Sequence, residues 1–266
     1  MTHTLYPGRV PLLVSLPHCG TAIPQDLHAA YVPEALAVPD TDWHLAEVYA
    51  FARELGASVI VPTTSRYVID LNRPGDNAPM YPGANNTELC PTRSFTGAPL
   101  YRDGRAPDAA EIERRRATCW QPYHDALQGE LQRLRAAHGR AVLWDGHSIQ
   151  SALPWLFEGR LPDLNLGTAS GASCAPELRE RLAAVLAAQS AYSQVVDGRF
   201  KGGHITRHYG QPQAGIHAVQ MEMVFAAYMT EEAPPWPLDA AKVARLQGVL
   251  RALLTECLDW AKAAKA

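Results

Sequence analysis

Short unbroken apolar runs alternate along this chain with longer stretches in which apolar positions recur at helical spacing. Residues 10–16 form the first apolar run and predict a buried strand. Over residues 41–55, Leu45, Val48, Phe51, Ala52 and Leu55 fall on one helical face, and Gly56 is placed to cap that helix. Residues 57–62 and 67–71 read as two further strands, the second closed by Asn72, Arg73, Pro74 and Gly75. A long loop rich in Pro, Gly and Asn follows over 74–107 and is expected to supply wall or lid elements of a site. Residues 108–138 predict a long polar helix. Glu111, Glu113, Arg114, Arg115 and Arg116 near its start read as a solvated face. The run 141–144 predicts a strand that exits into Asp145, Gly146, His147 and Ser148. An amphipathic helix over 176–190 sets Leu178, Leu182, Val185 and Leu186 inward. A polar, glycine-rich loop over 201–210, a strand over 217–223 and a final helix over 240–261 complete the pattern. Strands and helices alternate, so the class is α/β with a largely parallel or mixed sheet, in one domain over residues 1–266.

Composition narrows the partners. The chain has 266 residues, enough for one large α/β core, with 47% hydrophobic and 19% charged residues. A net charge of −3 gives no electrostatic case for nucleic acid. No apolar run approaches the roughly 20 residues that span a bilayer, and residues 1–9 lack a signal-peptide core, so a cytoplasmic protein without a membrane partner is expected. Five cysteines, odd in number and without a CxxC pair, argue against a disulfide framework and a cysteine-type zinc knuckle. Cys19 is read as a small residue lining a cleft. Oligomeric state is not encoded in any of these features.

Candidate chemistry gathers at the strand ends. His147 and His18 each close an apolar run, and a pair of such histidines suits a divalent metal, with Asp145 placed to orient His147. Asp40, Asp42 and His44 lie at the start of the helix after the first strand. Among them Asp42 is the candidate third ligand, with helix capping as its other possible role. Glu222 stands inside an apolar strand, where a carboxylate must be paired, metal-linked or held at a raised pKa, and a raised pKa suits a general base. Arg66, Asn72, Arg73 and Arg207, with His204 and Thr206 beside Arg207, are cationic or donor groups at loop and strand ends and suit a small anionic substrate.

These segments, in this order, resemble the N-formylglutamate amidohydrolase (deformylase) family. The likeness rests on residues 15–20, 41–45, 65–74, 145–148, 165–168, 202–210 and 220–223. The family is in turn similar to the zinc carboxypeptidases and aspartoacylases, so the resemblance implies a phosphorylase/hydrolase-like central mixed β-sheet flanked by helices. It implies hydrolysis of N-formyl-L-glutamate to formate and L-glutamate, the last step of one bacterial histidine-degradation route. Water activated at one divalent metal ion, expected to be zinc, would react with Glu222 as base, Asn72–Arg73 would hold a substrate carboxylate, and Arg73 and Arg207 would between them hold the two carboxylates, in an order the sequence leaves open. The wider group places an acidic ligand in an HxxE motif after the first strand. This sequence has none there, so the acidic ligand must come from further on, as Asp42. Two other readings stay open: a metal-dependent deacylase of another N-acyl amino acid, and a non-catalytic amino-acid-binding protein.

Overall fold

The computed structural model describes residues 2–78 and 87–263. Seven strands form one sheet: β1 (His3–Tyr6), β2 (Leu12–Ser15), β3 (Ser58–Pro62), β4 (Ala141–Ile149), β5 (Leu164–Gly167), β6 (Gln194–Val196) and β7 (Ile216–Val224). Their order is β1-β3-β2-β4-β7-β5-β6. The four central strands β3, β2, β4 and β7 run parallel, while β1 and β5 pair antiparallel at the flanks, so the sheet is mixed as expected. Helices cover both faces: α1 (Leu45–Val48), α2 (Phe51–Glu54), α3 (Ala109–Arg115), α4 (Gln121–His138), α5 (Pro176–Ala188), α6 (His204–Tyr209) and α7 (Ala240–Lys262). No described helix is long and apolar enough to cross a membrane.

The two-residue period of a strand sorts the core into two halves. Leu12, Val14, Val142, Trp144, Val219 and Met221 face one side, where they pack with Leu45, Phe51, Leu182 and Leu250 from α1, α2, α5 and α7. Leu13, Leu143 and Ala218 face the other, against Leu127 and Leu131 of α4 and Ile205 of α6. On this second face the pattern changes along the strands. Ser15, Asp145, His147, Gln220 and Glu222 succeed the apolar positions, and all are buried. That switch from apolar to polar on one face, at the carboxyl ends of parallel strands, is what creates a site.

Several predicted elements differ from what forms. Residues 41–55 make two single-turn helices rather than one, with His44 in the left-handed region at φ 62° before α1. Residues 67–71 are turned rather than a strand. Ser65 Oγ accepts from Tyr67 N and Asp70 Oδ1 accepts from Asn72 N, and such local side-chain bonds compete with a sheet ladder. The helix over 108–138 is interrupted by a π turn at Arg116–Trp120, just before Pro122, whose ring and missing N–H disfavour a regular turn. Arg115 does not belong to a solvated face. It is 2% exposed and donates to Val68 O and Tyr101 Oη, anchoring the turned segment. Strand β4 does not stop at Trp144 but continues through Asp145, His147 and Ser148, so these groups ride on rigid sheet. Residues 204–209 form α6 instead of a glycine-rich loop. Strands β1, β5 and β6 have three or four residues each, too few to show a period. Part of the predicted 74–107 loop, residues 79–86, lies outside the described residues.

Leu143 is fully buried at the centre of β4 and packs between β2 and β7. Replacing Leu143 by Ala should cost about 2–5 kcal/mol through lost burial and the cavity left behind. Urea unfolding should show this as a lower midpoint at unchanged slope. A loss under about 1 kcal/mol would contradict the packing described.

Candidate active site

His18 follows β2, and its carbonyl accepts from Asp42 N at 3.0 Å, which brings the segment before α1 to the end of the sheet. Asp42 does not cap a helix. Its Oδ2 accepts from Ser148 N at 3.1 Å, and its carboxylate faces His18 and His147. His147 Nδ1 lies 3.2 Å from His18 Nδ1 and 3.3 Å from Asp42 Oδ2, and His18 Nδ1 lies 3.7 Å from that same oxygen. His18, Asp42 and His147 thus form a candidate metal site with all three side chains buried.

The surroundings fix the donor atoms. His18 Nε2 lies 2.7 Å from Asp70 Oδ1, and we assign the ring proton to that bond, which leaves the Nδ1 lone pair facing the other two residues. His147 Nε2 lies 3.2 Å from Asp145 Oδ2, so a carboxylate backs this ring as well. Asn72 Nδ2 also approaches that nitrogen at 3.0 Å. Carboxylates of this kind orient and polarise histidine ligands. Asp42 Oδ1 is buried and has no hydrogen-bond partner. The two Nδ1 atoms and Asp42 Oδ2 therefore converge, 3.2–3.7 Å apart. A tetrahedral ion bound at 2.0–2.1 Å sets its ligand atoms about 3.3 Å apart, close to the separations found here. The donor set fits a divalent cation.

Charge balance explains the remaining groups. Burial alone would raise the Asp70 carboxyl, but His18, Arg66 and Arg73 outweigh it and hold the group well below the usual range. Arg66 Nη2 donates to Asp70 Oδ2 at 2.7 Å and Nη1 lies 3.2 Å from His18 Nδ1, so this guanidinium is tied to the candidate metal set rather than open to substrate. Burial would lower the His147 pKa, yet Asp145 and Asp42 more than reverse it and raise it well above the ordinary value. Glu222 stands on β7 in register with His147 on β4. Burial drives its carboxyl up to about 8, an effect that His147 partly counters. Among the described residues its carboxylate accepts no hydrogen bond, so it is available to a water or substrate in the cleft.

The cleft is lined by seven of the ten residues read from sequence as metal ligands, base or substrate contacts: His18, Asp42, Arg66, Asn72, Arg73, His147 and Glu222. Arg73 donates only to neutral oxygens among the described residues, Thr87 O, Thr87 Oγ1 and Asn72 O, which leaves its charge available to an anion. His204, Thr206 and Arg207 do not line the cleft. Because they sit on α6, Thr206 turns inward to donate to Asp145 Oδ2, His204 stacks on His208, and Arg207 donates Nε–H to Gly202 O on the exposed side. Asp70, Gln220 and Arg199 were not singled out. Asp70 was visible beside Asn72–Arg73 as a charged residue in an apolar run, whereas Arg199 carried no sequence signal.

A family model described as N-formylglutamate amidohydrolase matches residues 10–229. The chain is 54% identical over 256 residues to an N-formylglutamate deformylase of Pseudomonas aeruginosa, covering 96% of this chain and 95% of that one. It is 50% identical over 257 residues to an N-formylglutamate deformylase of Pseudomonas putida, covering 97% and 96%. Among solved structures, an N-formylglutamate amidohydrolase from Ralstonia eutropha shares the fold at a TM-score of 0.81 and 24% identity, over 99% of this chain and 98% of that one.

Two metal measurements follow from this geometry. Purified protein should contain close to one divalent transition metal per chain by elemental analysis. Asp70→Asn, which cannot hold the His18 proton with a charge, should weaken metal affinity by about 10–100-fold in a chelator competition. A metal affinity equal to wild type would remove Asp70 from the site.

Proposed function

The chain belongs to the N-formylglutamate amidohydrolase family, and we propose that it hydrolyses N-formyl-L-glutamate to formate and L-glutamate with the help of one divalent metal ion. The observation that carries this reading is the register of Glu222 beside His147: a carboxyl with a raised pKa faces the same cleft as the three donor atoms and Arg73. His18 and His147, through Nδ1, and Asp42 would hold the ion, and a set of two imidazoles and one carboxylate suits zinc. When bound, zinc supplies Lewis acidity to the formyl carbonyl and makes water a better nucleophile near neutral pH.

The protein's own groups do the rest. Glu222 takes a proton from the attacking water. A carboxyl tuned towards neutrality by burial is matched to that task and can return the proton to the departing amine nitrogen. Asn72 and Arg73 bind the substrate α-carboxylate. Arg73 presents a planar fork suited to a carboxylate, and Asn72 links that fork to His147. Arg66, held by Asp70 and stacked 4.5 Å from the Phe95 ring centroid, keeps the metal set rigid and offsets the charge of Asp42. Because Arg66, Asp70 and Asp145 are buried and already bonded, they cost little reorganisation during the reaction.

Formate release from metal-loaded enzyme should be fastest with N-formyl-L-glutamate and much slower with N-acetyl-L-glutamate and N-formyl-L-methionine. Comparable rates with the acetyl compound would instead make the protein a broader deacylase, and no turnover of any of the three would defeat the enzymatic reading. Glu222→Gln should retain metal and fold while turnover falls by roughly 10²–10⁴-fold. Near-wild-type turnover in that variant would exclude Glu222 as the base.

A further inference from the structure

The cleft described above has a second cationic wall. Arg199 lines it, together with Phe200, Leu156 and Ile149. Arg199 Nη2 donates to Leu156 O at 3.2 Å, and its guanidinium lies 5.5 Å from the Phe200 ring centroid. A charge held against apolar side chains is screened less than one in open water, and an arginine fork there favours a carboxylate.

The segment that carries Arg199 is pinned at both ends. At its start, Asp197 sits in the left-handed region at φ 52°. Its carboxylate accepts from Thr168 N and Oγ1, Ser170 N and Arg179 Nε. At its end, Gly203 N donates to Gln220 Oε1 at 2.7 Å, and a side chain at Gly203 would collide with the Asn72 amide. Asn72 in turn touches His147 and is followed by Arg73. The positions of Arg199 and Arg73 are therefore both referenced to Asn72, and a receptor preorganised in this way loses little entropy when it captures its ligand.

Resting on the proposed deformylase reading, we infer that Arg199 receives the side-chain carboxylate of the substrate, while Arg73 receives the α-carboxylate. The α-carboxylate sits on the carbon that bears the amide nitrogen, so it must bind close to the reacting centre. Arg73 meets that condition through its neighbour Asn72, which contacts His147. The side-chain carboxylate lies two methylenes further out, where Arg199 and the apolar surface of Leu156 and Phe200 offer a charge at the end of an apolar path. Arg66 cannot play this part, because its Nη2 is engaged by Asp70 and its Nη1 lies against His18 and Asp42. Arg199 is thus the selectivity residue for an acidic side chain.

The test compares kcat/KM for N-formyl-L-glutamate and its isosteric amide, N-formyl-L-glutamine, in wild type, Arg199→Gln, Arg199→Lys and Arg73→Gln. Both substrates are measured on one sample, so the ratio is independent of the fraction of protein folded. Wild type should favour the glutamate compound. Arg199→Gln should shrink that preference by at least about thirtyfold, the equivalent of about 2 kcal/mol for a lost charge-assisted pair. Arg199→Lys should fall between, while Arg73→Gln should lower both substrates and keep the preference. A preference unchanged in Arg199→Gln would overturn the inference. Binding of the product L-glutamate against L-glutamine by calorimetry provides a second reading that needs no turnover. If wild type fails to hydrolyse either formyl compound, the deformylase reading falls. Arg199 is then judged by binding alone: loss of glutamate selectivity in Arg199→Gln supports it, and equal or absent binding of the two amino acids in wild type overturns it.

Discussion

Asp42 is wholly buried, and one of its oxygens receives no hydrogen bond. A carboxylate taken that far from water stays ionised only if positive charge or donors surround it. Burial pushes its pKa up, yet the neighbouring imidazoles of His147 and His18 hold it below the ordinary carboxylate range. The rest of the centre follows from this requirement. Two imidazoles turn their Nδ1 atoms inward, Arg66 closes the set from one side, and Ser148 donates its amide. Each of these then needs a partner of its own. Asp70 holds both His18 and Arg66, and Asp145 holds His147. Ser15 and Thr206 donate to Asp145, and Ser15 also bonds to Tyr123 of α4. The result is a layered alternation of charge running from the cleft into the core. A buried network of this kind is stable only when every member is satisfied. The unsatisfied Oδ1 of Asp42 faces Arg66 at 3.8 Å, while its Oδ2 faces the two Nδ1 atoms of the candidate metal site.

The sheet makes this arrangement possible from residues far apart in sequence. Parallel strands β2, β4 and β7 all point their carboxyl ends to one edge, so His18, His147 and Glu222 arrive together without long-range loop folding. In-register pairing sets His147 beside Glu222 and Asp145 beside Gln220, which fixes the proposed base relative to the candidate metal donors as a property of the backbone. Gln220 extends the same logic outward by holding Gly203, and Gly203 backs onto Asn72. The cleft walls are thereby referenced to the reactive centre through direct bonds and contacts rather than through flexible loops.

How far the sequence could be read depended on whether a signal was local. Buried strands announce themselves as unbroken apolar runs and long helices through hydrophobic period, and His18, His147 and Glu222 stand out as polar residues within or ending apolar runs. The turned segment 67–71 reads as a strand in sequence because its apolar residues are buried on all sides and make an unbroken apolar run. Asp42 remained ambiguous because capping and metal binding ask for the same residue type at the same place, and only the approach of Ser148 and the two histidines separates them. Residues 204–207 looked like substrate contacts because glycines and donors cluster there. Packing of Ile205 and Tyr209 into the core instead winds them into a helix that turns Arg207 away. Arg199 was illegible for the opposite reason. Its importance comes from where Asp197 and Gly203 pin its loop, and that is a long-range property.

The central claim is that His18, Asp42 and His147 converge on one cation. Crystals of zinc-loaded protein, with diffraction collected on either side of the zinc absorption edge, test it directly. An anomalous difference peak should appear within roughly 2.0–2.2 Å of His18 Nδ1, His147 Nδ1 and an oxygen of Asp42, and it should vanish below the edge. A single strong peak elsewhere in the molecule, with the three side chains unligated, would contradict the account.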